Sequence, residues 1–184
     1  FQGCALKGTL NLSNVVAIAD FAFSENPNIE AVKLPATLQS IGAYAFGANS
    51  SLKSVEIKAE KIKLGQYAFT NCAKLESIDI NAAVIPAGAF NECKSLKSVK
   101  LGKDVAVVSE YAFRNSAVEG FKIAEGNTAF LAHENGKYLT NTSGTELLLV
   151  APTLKEFELY NDKITSIGNG AFSGNVYLTS VTIP

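Results

Sequence analysis

A chain of 184 residues, 47% apolar and 18% charged, can bury a sizeable core, which excludes a disordered polypeptide. No apolar run approaches the ~20 residues that would cross a bilayer as a helix. The 16 basic and 17 acidic residues nearly cancel, and Arg114 is the only arginine, so the clustered positive charge that holds nucleic acid is missing.

In chain order, the opening "FQGC" is followed by Leu10-x-Leu12, and this pairing of a Phe with a short alternating tail then recurs. Ala22-Phe23 leads to Ile29-Val32-Leu34, Ala45-Phe46 to Leu52-Val55-Ile57, and Ala68-Phe69 to Leu75-Ile78-Ile80. Ala89-Phe90 leads to Leu96-Val99-Leu101, and Ala112-Phe113 to Val118-Phe121-Ile123. After a longer interval come Leu154-Phe157-Leu159, then Ala171-Phe172 with Leu178-Val181-Ile183. Successive marker Phe residues from Phe23 are 23, 23, 21, 23 and 59 apart, and Phe1 lies 22 before Phe23. Two interlocked markers in step predict a mainly β repeat solenoid spanning residues 1–184 as one domain. Both ends of the chain fall inside a repeat, so the expectation is a fragment of something longer.

Each marker has a physical task. The alternating tail has period two and reads as a strand with one face inward; one strand per coil stacks into a parallel sheet. A second apolar pair, as in Leu38-Ile41, Val105-Val108 and Ile164-Ile167, is expected on the opposite wall of the same core. Lys61 and Ala82 stand where two coils should carry the first member of that pair. Gly42 and Gly168 after the Ile suit a bend that a Cβ would obstruct. The Phe of each coil should stack on its neighbours as a buried spine, each ring contributing roughly 1.5–3 kcal/mol through burial.

Three residues before the leading apolar residue of each strand stand Asn26, Asn49, Cys72, Cys93, Asn115 and Asn175, and counting back from Leu10 adds Cys4. Amide and thiol share modest size and the ability to donate a hydrogen bond inside a turn. The column therefore reads as a structural ladder of donors to backbone carbonyls that would otherwise be orphaned. A nucleophile, metal ligands or a disulfide are the competing readings of the three cysteines. A metal site wants convergent partners, and His133 is the lone histidine, in a different kind of segment. Cys72 and Cys93 fall on adjacent coils, but parallel ladder neighbours point the same way and not at each other. No catalytic, cofactor or metal-binding residues are assigned, and no set of nucleophile, base and carboxylate can be assembled around one histidine.

Between Val118 and Leu154 the rhythm breaks. An irregular repeat at about 124–153 replaces the Phe-bearing half, with "FLAHENGKYLT" reading as two strands around Asn135-Gly136 and "TSGTELLLV" as a third. A protruding β-meander is expected there, with His133 as a surface residue of its hairpin.

On the solvent side of the strands, one column alternates in sign: Glu30, Lys53, Glu76, Lys97, Glu119, Lys155. The next is small (Ala31, Ser54, Ser77, Ser98, Gly120, Ser180), and a third mixes signs (Lys33, Glu56, Asp79, Lys100, Lys122, Glu158). At the strand spacing of about 4.8 Å each charge of the first column should meet its opposite. No aromatic ring stands in these columns, which argues against a carbohydrate platform. Lys53, Glu56, Glu76, Asp79, Lys97 and Lys100 form the candidate protein-binding face. Tyr44, Tyr67 and Tyr111 offer an aromatic strip elsewhere, or pack on the Phe spine.

The units "LQSIGAYAFGANSSLKSVEI" at 38–57 and "ITSIGNGAFSGNVYLTSVTIP" at 164–184 resemble the BspA-type leucine-rich repeat of bacterial surface proteins. The oversized turn, with "NGKYL" and "LLLVAP", is similar to an atypical repeat common in that family. Gly88 and Gly170 depart from the pattern, replacing the Tyr two before the Phe. The resemblance implies a right-handed solenoid with one parallel sheet, outside the cell or at its surface, without enzymatic activity or cofactor. It also implies adhesion to host or cell-surface proteins, with no membrane insertion by this stretch. A purely structural stalk, with recognition done elsewhere in the parent protein, is the competing expectation.

Overall fold

The computed structural model describes residues 1–159 and 163–183; Pro184, which closes the last repeat unit, lies outside them. Each repeat yields one strand from its alternating tail and a second, two-residue strand from the segment that follows. In chain order these are β1 (Lys7–Asn11), β2 (Ala17–Ile18), β3 (Asn28–Leu34), β4 (Ser40–Ile41), β5 (Ser54–Ile57) and β6 (Lys63–Leu64). Then come β7 (Ser77–Ile80), β8 (Val84–Ile85), β9 (Ser98–Leu101), β10 (Val107–Val108) and β11 (Gly120–Ile123). The irregular turn holds β12 (Leu131–His133), β13 (Tyr138–Thr140) and β14 (Glu146–Val150), and the last coils hold β15 (Glu156–Glu158), β16 (Ser166–Ile167) and β17 (Ser180–Thr182).

The tails make the first wall, in parallel ladders β1-β3-β5, β7-β9-β11 and β15-β17. The two-residue strands make a second parallel wall, in ladders β2-β4-β6 and β8-β10. Register is kept from coil to coil: Val32 pairs with Val55, and Ile78 and Phe121 both pair with Val99. The parallel sheet is thus divided along the first wall and repeated in miniature on the second. Where Lys61 replaces an apolar residue, the neighbouring Ile62 is buried in its stead, and Ala82 is itself buried.

Between the walls, Phe1, Phe23, Phe46, Phe69, Phe90 and Phe113 stack face to face with centroids 5.3–5.5 Å apart and planes within 10°. The backbone ties these arcs together: Phe23, Phe46, Phe69 and Phe90 donate N–H to the carbonyls of Ala45, Ala68, Ala89 and Ala112 at 2.8–2.9 Å. Ala45, Ala68 and Ala89 are fully buried, and a larger side chain there would keep neighbouring coils apart. The bend at Gly42 is equally tight, since a Cβ would lie 2.4 Å from Asp20 Oδ1.

The spine does not run the whole length. Beyond Phe113 the next ring is Phe121, from β11, tilted by 59°. Phe172 instead meets Phe157 edge-on at 5.4 Å, in a second core with Tyr138, Leu147 and Val150. The irregular turn supplies no Phe arc, so the arc of Ala171-Phe172 settles beside that of Tyr111–Arg114: Tyr111 N–H donates to Ser173 Oγ at 2.9 Å.

The meander does not protrude. Leu139, Thr140 and Leu147 are fully buried, and β14 joins β16 in parallel, taking the place of the missing second-wall strand. Its hairpin loop is four residues, Glu134 to Lys137, and not the two expected from Asn-Gly: β12 and β13 pair through His133 and Tyr138. Glu134 and Asn135 both take positive φ. Gly136 lies so close to β11 that an added Cβ would stand 2.0 Å from the Phe121 carbonyl oxygen.

Candidate protein-binding face

Lys53, Glu56, Glu76, Asp79, Lys97 and Lys100 are all exposed on the outer side of the first wall, on or just before β5, β7 and β9. Between the two charged columns runs the small one. Ala31 is in register with Ser54, and Ser77, Ser98 and Gly120 are in register with one another. The result is a shallow trough with charged banks, fixed by the backbone ladder beneath. A depression of about 560 Å³ opens on it, lined by Glu76, Ser77, Lys94, Ser95 and Lys97.

Pairing of charges across coils is partial. Lys53 Nζ lies 3.2 Å from Glu30 and Lys100 Nζ 2.9 Å from Asp79, whereas Glu56 turns to Lys58 on its own coil at 3.8 Å. Among the described residues Glu76 and Lys97 make no ion pair, so the expected unbroken alternation of contacts does not form. Long exposed side chains gain little by pairing in water and are not held to it.

Beneath the face lies the donor column. Asn49 Nδ2 donates to Phe23 O at 3.0 Å and Phe46 O at 2.8 Å, and its Oδ1 accepts from Asn26 N–H at 3.0 Å. Asn26 does the same one coil earlier, donating to Phe1 O and Phe23 O and accepting from Leu6 N–H. Cys72 Sγ donates to Phe46 O at 3.2 Å and Cys93 Sγ to Phe69 O at 3.1 Å, each to the coil before. Burial pushes the Cys72 thiol up to about 12, against a smaller opposing pull from the Asn49 backbone hydrogen bond. Burial, and then the neighbouring Cys72, push Cys93 up as well. Both sulfurs are protonated, unbonded to each other and inert at neutral pH.

Three members of the expected column depart from it. Asn115 is displaced by one: Ser116 stands three after Phe113, is buried, and donates to Phe113 O at 2.7 Å. The strand of that coil begins one residue sooner after its Phe, so counting back from Val118 lands on the positive-φ position that Ala48, Asn71 and Glu92 occupy in other coils. From there Asn115 reaches the Glu92 carboxylate. Cys4 is exposed, with Gln2 O of its own turn at 3.7 Å as its acceptor in place of the preceding-coil carbonyl that Cys72 and Cys93 meet. Asn175 donates to Ala151 O at 2.7 Å, but its buried Oδ1 has no partner among the described residues. The amide that should reach it, Ala151 N–H, is taken by Lys137 O of the meander, and Pro152 has none to offer.

Other residues settle in structural places. His133 stacks on Tyr138 at 4.7 Å and bonds Thr140 Oγ1 at 2.9 Å; since that hydroxyl gives its proton to Asn141 O, His133 Nε2 is the donor. Among the described residues no cluster of three or more His, Cys, Asp or Glu could hold a metal ion, and no helix is long and apolar enough to cross a membrane. Tyr44 and Tyr67 form the aromatic strip, not a layer on the Phe spine, and Phe21 extends it: Phe21–Tyr44 and Tyr44–Tyr67 stack at 5.0 and 4.9 Å. Phe21 was detectable, standing two before Phe23 as Tyr44 does before Phe46. Tyr111 stands apart beneath the Arg114 guanidinium, 5.5 Å from its ring. Asn81 and Asn127, which cap carbonyls of neighbouring coils at another corner, occupy no column that the repeat markers reveal.

Stacked parallel coils around an aromatic spine, with one polar strand face, define a leucine-rich repeat solenoid. The chain belongs to the BspA-type leucine-rich repeat family, whose repeat matches in six copies over residues 1–134 and 150–184. The unmatched residues 135–149 are the heart of the meander. A leucine-rich repeat protein from Eubacterium ventriosum has a similar fold, with TM-score 0.76 and 21% identity, over 95% of this chain and 47% of its own. The pneumococcal vaccine antigen PcpA is similar at TM-score 0.64 and 17% identity, over 98% of this chain and 56% of its own. A leucine-rich repeat protein from T. pallidum is similar at TM-score 0.59 and 20% identity, over 95% of this chain and 68% of its own. This chain therefore spans about half the length of the first two. No curated protein matches.

Proposed function

We propose that this chain is a non-enzymatic, surface-exposed or secreted scaffold that binds host or cell-surface proteins through its first-wall face. The observation that carries the reading is the trough of Ser54, Ser77, Ser98 and Gly120 between charged banks, on which Glu76 and Lys97 make no ion pair among the described residues. A rigid polar face loses little entropy on binding, and unpaired charges of both signs can choose a partner by complementarity. Family membership supports a scaffold in general terms. A passive spacer is the second reading; Lys53 and Lys100, already satisfied by Glu30 and Asp79, favour it.

The test is binding to immobilised extracellular-matrix proteins and intact host cells, with a variant carrying Lys53→Glu, Glu76→Lys and Lys97→Glu. All three positions are exposed, so the fold is retained. The scaffold reading expects a specific partner and at least a tenfold loss of affinity in the variant. Silence of the unmodified chain against every surface favours the spacer. Binding at full strength by the variant moves recognition off this face.

A further inference from the structure

Asn-Gly occurs twice in the chain, at Asn135-Gly136 and Asn169-Gly170, and both asparagines are exposed. With no Cβ on the following residue, the next backbone nitrogen can close on an asparagine side chain. Such an intramolecular attack is fast only where the two groups can meet in the right geometry. They meet when the peptide unit between the two residues turns about the asparagine ψ. Whatever anchors that peptide unit therefore decides which pair reacts.

At Asn135 the unit is clamped. Gly136 is buried against the Phe121 backbone, and the Asn135 carbonyl oxygen lies 2.6 Å from where a Cβ on Gly120 would stand. The next residue is tied twice, Lys137 N–H to Glu134 O at 3.4 Å and Lys137 O from Ala151 N–H at 2.8 Å. Turning the 135–136 peptide would drive it into β11. Asn169 stands in the turn before its Phe, where earlier coils carry Ala43 and Gln66. In those coils the peptide unit is anchored at both ends. Ala43 O accepts from Phe21 N–H at 2.9 Å, Tyr44 N–H donates to Gln66 O at 3.0 Å, and Tyr67 N–H donates to Ala87 O at 3.1 Å. Around 169–170 neither end is anchored. Tyr111 N–H goes to Ser173 Oγ at 2.9 Å in place of Asn169 O. Among the described residues, Asn169 O, the Asn169 side-chain amide and Gly170 N–H make no hydrogen bond. The nearest neighbour of Gly170 is the flexible Glu110 side chain and not backbone.

We propose that Asn169 is a self-modification site, converting spontaneously to aspartate and isoaspartate in the folded chain while the clamp preserves Asn135. The Gly170 nitrogen attacks Asn169 Cγ; the new N–Cγ bond replaces the Cγ–Nδ2 bond, and ammonia leaves with the proton of the Gly170 N–H. Water then opens the cyclic imide at either carbonyl. Breaking the new bond gives aspartate, and breaking the original peptide bond gives isoaspartate. Both products put a carboxylate beside Gly170, which faces Glu110. Isoaspartate also adds a methylene to the backbone between two anchors, Gly168 N–H to Leu147 O at 2.8 Å and Val150 N–H to Ala171 O at 2.9 Å. The lengthened backbone cannot hold both anchors in register, so the Ala171-Phe172 arc loosens and the Phe spine is untouched.

The experiment ages the purified chain in mildly alkaline buffer. Tryptic peptides 123–137 and 164–184 are then followed by mass spectrometry for amide-to-acid conversion, with fragment ions locating the site. Asn169 is expected to convert at least tenfold faster than Asn135 while the chain is folded, and the two rates to converge in urea. In the aged protein the amides of Val150 and Gly168 should exchange faster with solvent, and those of Phe46 and Phe69 at their original rate. Asn169→Gln, an exposed change whose longer side chain cyclises far more slowly, should keep Val150 and Gly168 protected through the same ageing. Equal conversion of the two asparagines in the folded chain, faster conversion of Asn135, or no conversion of Asn169 would each overturn the proposal. So would a rate difference that survives in urea, or the same loosening in Asn169→Gln.

Discussion

Asn and Cys exchange in the donor column because both can give a hydrogen bond to the carbonyl of the preceding coil's Phe; they differ in what they accept. An amide oxygen takes the N–H of the coil before, as Asn49 takes that of Asn26, and sulfur takes it only weakly. Asn49→Cys should therefore cost about 1 kcal/mol in denaturant unfolding, since the Asn26 amide loses its strong acceptor. Asn175→Cys should have the opposite sign, stabilising by up to about 1 kcal/mol, because the orphaned Oδ1 is removed while the donor to Ala151 O is kept. The buried thiols also set a pH dependence. With the Cys72 pKa raised from 9.0 to about 12 on folding, the folded state holds its proton where the unfolded state has lost it. Stability is then full below pH 9 and falls as pH rises toward 12, by at most about 1.4 kcal/mol per pH unit per thiol. The double variant Cys72→Asn with Cys93→Asn should show a flatter decline between pH 8 and 10 in the same unfolding measurement.

At the scale of elements, the repeat's coil is built from contacts that cross to the neighbouring coil, so its parts are not equally replaceable. Phe69 is fully buried and sandwiched between Phe46 and Phe90; Phe69→Ala should cost about 3–5 kcal/mol, read from the urea midpoint. The meander depends on one close approach. Gly136 sits at φ 83° against the Phe121 backbone, so Gly136→Ala should detach the hairpin loop from β11. Amides of Gly120 and Phe121 should then lose protection, while those of β5 and β7 keep theirs. The turn's placement within the wall was not legible in the sequence. Asn135-Gly136 signals a hairpin, and no local signal says that β14 will pair with β16 and bury Leu147 between them.

Over the whole molecule, the two interlocked markers made the solenoid legible because each coil repeats the same burial problem and solves it with the same residues. They failed where the solution changes. Counting back from Val118 placed Asn115 in the column that Ser116 fills, since the interval from Phe to strand shortens by one there. The division into two cores was hidden for a similar reason: the marker places Phe172 in phase, but the missing arc before it leaves its ring to Phe157. The polar face could be read from alternation alone. Which of its charges pair could not, because exposed side chains are free to choose partners on their own coil, as Glu56 does with Lys58.

The face can serve as a rigid platform because the columns behind it continue from coil to coil through Phe113 and change character beyond. Native-state hydrogen exchange tests this directly. The amides of Phe23, Phe46, Phe69 and Phe90 should exchange with one shared, high opening free energy. Those of Leu159, Gly168 and Thr179 should exchange through a separate, smaller opening. Opening energies that decline coil by coil from Phe90 to Phe23, or a single value from Phe23 to Thr179, would contradict it.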